Sequence, residues 1–131
     1  MENMDTGIKK KILFVDDEPR LLDGLERMLR PMRNSWCMAF AASGQAALEL
    51  MKSAPFDVVV SDIRMPVMNG LEVLETIKKN NIYTHIPVLI VSTESEDDKM
   101  SRAFAAGAKG YISKPFTPER LLNLIRGRIS A

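Results

Sequence analysis

A chain of 131 residues, 46% of them apolar, has enough material to bury one real core and is too short for a barrel of eight strand–helix units. Its 18 basic residues nearly cancel its 17 acidic ones, so bulk charge draws it neither to nucleic acid nor to an anionic membrane. The single cysteine, Cys37, rules out an internal disulfide, no apolar run is long enough to span a bilayer, and the opening MENMDTGIKKK lacks the apolar stretch of a signal peptide, so a cytoplasmic location is expected.

Residues 1–8 offer little to a core and are expected to form a flexible tail before a domain over residues 9–131. The run ILFV (12–15) predicts a buried strand, yet it leads straight into Asp16, Asp17 and Glu18, where like charges repel. Pro19 suits a first helical turn, and Leu21, Leu22, Leu25, Met28, Leu29 and Met32 recur at helical spacing after it. CMAFA (37–41) predicts a second strand in which Cys37 serves as a small buried hydrophobe. Ser43 is placed to cap a helix carrying Ala46, Ala47, Leu50 and Met51, and DVVVS (57–61) follows as the third strand.

Asn69 caps the third helix, with Leu71, Val73, Leu74 and Ile77 on its apolar face. The one histidine, His85, falls in the polar stretch NNIYTHIP and is expected on a surface loop. VLIVS (88–92) predicts the fourth strand, and Ser95 caps a weaker helix through Met100, Ala103 and Phe104 that ends near Gly107. GYIS (110–113) is the fifth strand. Thr117, Pro118 and Glu119 open a last helix, with Leu121, Leu122, Leu124 and Ile125 facing inward.

Strands that alternate with helices and read as continuous apolar runs predict an α/β fold. We expect a flavodoxin-like doubly wound parallel sheet of five strand–helix units, strand order 2-1-3-4-5, whose chemistry gathers beyond the carboxyl ends of the strands. Asp16 and Asp17 follow the first strand, Asp62 the third, Ser92 and Thr93 the fourth and Lys114 the fifth. Strands one and three would be neighbours, so Asp16, Asp17 and Asp62 would share a cleft, and three crowded carboxylates call for a cation. Oxygen donors without His or Cys suit a hard ion, Mg²⁺ rather than Zn²⁺. Lys114 and Ser92 across that cleft would surround a phosphoryl group for which a carboxylate is the acceptor.

FVDDEP, VVVSDIRMPVMNG, VLIVST and GAKGYISKPF resemble, in order and spacing, the motifs of the receiver domain of two-component response regulators, over roughly residues 9–130. The resemblance implies that Asp62 accepts a phosphoryl group from the phosphohistidine of a sensor histidine kinase or histidine phosphotransfer protein. It implies that Asp16, Asp17, Asp62 and the backbone carbonyl of Arg64 hold Mg²⁺, for which Mn²⁺ would substitute, and that Lys114 pairs with the phosphoryl group ahead of a cis bond to Pro115. Ser92 matches the switching hydroxyl and Tyr111 the aromatic that moves with it, while Arg64 and Glu94 fall near the attacking water's route and are expected to tune dephosphorylation.

Such a domain is a switch rather than an enzyme in its own right, with slow self-catalysed loss of its phosphoryl group expected. Its output is a downstream effector or a C-terminal output domain, and no basic recognition helix in this sequence points to direct DNA binding. A phosphorylation-dependent dimer stays open, although Lys109 and Gly110 stand where receivers that dimerise through salt bridges carry acids. Three other readings compete. A haloacid-dehalogenase-like phosphatase would place two acids two residues apart after the first strand, whereas Asp16 and Asp17 are adjacent. A flavin carrier would need a hydroxyl-rich loop there, and a docking module that is never phosphorylated would not need every reactive group that this chain keeps.

Overall fold

A computed structural model describes residues 9–92 and 97–129. The chain alternates β1 (Lys10–Val15), α1 (Pro19–Leu29), β2 (Trp36–Ala41), α2 (Gly44–Ser53), β3 (Val58–Asp62), α3 (Gly70–Lys79), β4 (Val88–Ser92), α4 (Asp97–Ala105), β5 (Gly110–Ser113) and α5 (Pro118–Ile129). The strands form one parallel sheet in the order β2-β1-β3-β4-β5, as expected from the sequence.

Side chains alternate between the two faces of a strand, and the sheet accordingly has two cores. On one face Ile12, Phe14, Val60 and Leu89 pack with Leu29 of α1 and with Leu121 and Ile125 of α5. On the other, Leu13, Val59 and Ile90 pack with Met51 of α2, with Val73, Leu74 and Ile77 of α3 and with Ala103 of α4. Burial from both sides explains why all five residues of β3, and all five of β4, are buried.

Local chemistry sets several joints. Ser43 Oγ accepts the Ala46 N–H at 3.0 Å to start α2. Asn69 and Glu72 form a reciprocal capping box at the start of α3, each bond 2.9 Å long. The expected cap at Ser95 and the expected tail over residues 1–8 lie outside the described residues.

Three expectations need correction. The first helix does not run on to Met32: it stops at Leu29 and gives way to a 3₁₀ turn over Arg30–Met32, because Pro31 has no N–H to give and its ring crowds the preceding turn. Cys37 is exposed rather than buried. It lies near the start of β2, the edge strand next to β1, so burial from both sides does not reach it. The third strand is shifted by one residue and ends on Asp62, since Asp57 stays outside it and accepts the Lys11 N–H on its side chain at 2.8 Å.

Candidate functional site

The order reverses between β1 and β3, which places their carboxyl ends side by side. Asp16 directly follows β1, and its N–H donates to the Ala41 carbonyl at 3.0 Å. Its side chain is turned inward by the Glu18 N–H, which donates to Asp16 Oδ1 at 3.0 Å. Asp62 ends β3 and, like Asp16, is buried. Asp17 is half-buried. Carboxylate oxygens of Asp16, Asp17 and Asp62 come within 4.8 Å of one another.

Lys114 enters from the far side. Its N–H donates to the Ser92 carbonyl at 2.7 Å, and it precedes a cis peptide bond to Pro115, as the resemblance implies. Its Nζ donates to Asp16 Oδ2 at 3.0 Å and lies 3.4 Å from Asp62 Oδ2. Burial raises the Asp62 carboxyl above the ordinary carboxylate range; Lys114 opposes the rise and Asp16 adds to it. Desolvation thus outweighs the lysine.

Formally, three carboxylates outnumber the one ammonium that bonds among them. An all-oxygen donor set with that charge fits a hard divalent cation such as Mg²⁺.

The remaining expected residues surround these. Ser92 is the buried last residue of β4, in register with Ser113 of β5. Tyr111, opposite Ile90 on β5, is half-buried and packs on the core face shared with α4. Arg64 is exposed two residues past Asp62 and lines, with Asp17, Asn69 and Arg102, a cavity of about 490 Å³. Glu94 and Thr93 lie outside the described residues. His85 is on the surface, as expected. A second cavity, about 630 Å³ and mainly apolar, opens beside Asp16, Asp62 and Lys114 and is walled by Leu25 and Met28 of α1 and by Phe116.

Reading residue by residue missed two features. Gly70 backs directly onto Asp62: a Cβ there would meet the Asp62 carbonyl oxygen at 2.2 Å, and the Gly70 N–H donates to the Ile63 carbonyl at 2.8 Å. Its signal was the glycine that ends VVVSDIRMPVMNG. Val67 takes a positive φ of 69°, closed by the Met68 N–H to the Pro66 carbonyl at 2.7 Å. No sequence signal marks this, since a β-branched residue is a poor choice for that conformation.

A family profile described as the response regulator receiver domain matches residues 12–126. The chain is 36% identical over 111 residues to the chemotaxis protein CheY of Pseudomonas aeruginosa, covering 85% of this chain and 89% of that protein. It is 35% identical over 118 residues to a probable cyclic di-GMP phosphodiesterase of Vibrio cholerae, covering 90% of this chain but 25% of that protein. The structure of CheY4 of Vibrio cholerae superposes with a TM-score of 0.86 at 33% identity, covering 93% of this chain and all of the other.

Proposed function

The chain belongs to the response regulator receiver domain family, and on that footing we propose that Asp62 is the phosphoacceptor of a Mg²⁺-dependent signalling switch. The observation that carries this reading is the convergence of Asp16, Asp17 and Asp62 on one point with Lys114 bonded across it. A receiver implies a histidine kinase or phosphotransfer protein upstream and an effector downstream. One Asp62 oxygen attacks phosphorus, the bond from phosphorus to the donor histidine breaks, and the phosphoryl group stays on Asp62 as an acyl phosphate.

Asp16, Asp17, Asp62 and the Arg64 carbonyl would hold Mg²⁺, which when bound supplies positive charge against the phosphoryl oxygens. Lys114 would move from its carboxylate partners to a phosphoryl oxygen, a charge-assisted contact that exists only once the group arrives. The buried Ser92 hydroxyl would turn to a second phosphoryl oxygen, and Tyr111 would follow it inward, shifting the face built by α4, β5 and α5 toward an output-competent state. Arg64 and Glu94 would set how readily water reaches the acyl phosphate. The apolar cavity against α1 supports a macromolecular donor, because it offers such a partner apolar surface to cover beside Asp62.

The test is intact-protein mass after incubation with acetyl phosphate and Mg²⁺, run beside Asp62→Asn and a metal-free control. We expect one phosphoryl gain that requires both Asp62 and the metal. No gain under any condition would favour a docking module, and a gain that survives Asp62→Asn would mean another nucleophile.

A further inference from the structure

The stretch RMLRPMR that ends the first helix has no part in the phosphoacceptor site. Arg27, Arg30 and Arg33 recur at steps of three through the end of α1 and the 3₁₀ turn, a spacing that stacks side chains on one side of the chain. Together with Pro31 and Asn34 they line a shallow cavity of about 400 Å³. Lys9 joins them by donating from Nζ to the Arg33 carbonyl at 3.0 Å, and Arg126 of α5 reaches the same turn, its Nη2 lying 3.7 Å from Met32 Sδ.

Compensation is thin. Glu26 pairs with Arg30 at 3.2 Å with both side chains half exposed, and among the described residues neither Arg27 nor Arg33 is in ion-pair contact with an acid. Asp23 stands four residues before Arg27 without pairing to it. Lys9 and the three arginines, less Glu26 and Asp23, still leave two formal positive charges at one corner of a chain whose whole net charge is +1. The helix dipole favours Arg27 in the last turn and Arg30 at the C-cap, but Arg33 lies a turn beyond the end of α1, where that return has fallen off.

We propose that this basin binds a small ligand bearing a polyphosphate chain. Guanidinium forks match phosphate oxygens in pairs, which a lysine does not do. The three arginines line one compact cavity rather than a stripe running the length of a helix, and that cavity has the volume of a small-molecule pocket, so a single anionic group fits better than a nucleic-acid backbone. The basin flanks the start of β1, whereas Asp62 lies at the carboxyl end of β3, so the two sites occupy opposite ends of the parallel sheet and would be filled independently.

Isothermal titration calorimetry of the full chain with sodium tripolyphosphate, in low-salt buffer without Mg²⁺, tests this. Saturable one-to-one binding is expected, weakened by at least about tenfold in Arg27→Gln/Arg30→Gln/Arg33→Gln. The triple variant should keep the wild-type circular dichroism spectrum and its mass gain from acetyl phosphate. Lys114→Met, which alters only the phosphoacceptor cleft, should bind as the wild type does. Absence of saturable binding would overturn the proposal, as would equal binding by the triple variant. So would a loss in Lys114→Met instead, which would place the anion in the cleft. Equal affinity in a triple Arg→Lys variant would reduce the basin to diffuse charge, and binding of a DNA duplex but not of tripolyphosphate would assign the surface to a macromolecule.

Discussion

Burial holds the proton on the Asp62 carboxyl more tightly than an ordinary carboxylate would, despite Lys114 beside it, with Asp16 adding to the effect. In the folded chain the group therefore binds protons that the unfolded chain has already released. Stability falls as pH rises from the ordinary carboxylate value of 3.8 through the raised folded value, and near neutrality an ionised Asp62 works against the fold. Asp62→Asn removes that charge at nearly constant volume. In metal-free buffer near neutrality its melting temperature should exceed that of the wild type, and the gain should vanish as the pH is lowered toward about 4. Adding Mg²⁺ should stabilise the wild type more than the variant, because the cation offsets the same repulsion. Equal melting temperatures at neutral pH without metal would show that Lys114 already compensates the buried charge.

Between β3 and α3 the chain makes a tight return that keeps Asp62 in place. The capping box of Asn69 and Glu72 starts α3, and Gly70 sits where any Cβ would strike the Asp62 carbonyl. Gly70→Ala should lower the free energy of unfolding by about 1–3 kcal/mol, the usual range for overpacking a site that cannot give. Because the obstacle is the backbone of Asp62, the proposed acceptor, acetyl phosphate labelling should slow as well. Gly127, exposed on α5 with nothing within 4 Å of an added methyl, is the control: Gly127→Ala should stabilise the chain by about 0.5–1 kcal/mol. Urea denaturation reads both. At this scale the sequence was a good guide where a local rule decides, as with Ser43 and Asn69, which cap helices as expected. It misled where a local rule was overlooked, since Pro31 ends α1 early, and where strand position decides, since Cys37 is apolar yet exposed on an edge strand.

The central sheet separates two cores that share no side chains. Leu74 belongs to the face covered by α2, α3 and α4, and Leu121 to the face covered by α1 and α5. Both are fully buried, so Leu74→Ala and Leu121→Ala should each cost about 2–5 kcal/mol in urea unfolding. With the sheet between them their effects should add to within about 0.5 kcal/mol in the double variant. A larger departure would mean that the strands transmit strain from one face to the other. By itself the sequence determined the alternation of strands and helices, the parallel sheet and the acidic and basic residues at its strand ends, because apolar periodicity, caps and motif spacing are local properties of the chain. Only the tertiary structure decided that Lys114 bonds Asp16 as well as Asp62, that Gly70 abuts the Asp62 backbone, and that Lys9 and Arg126 reach the turn that follows α1. Those pairings link residues far apart in the chain, and no local pattern encodes a distance that exists only after the sheet has assembled.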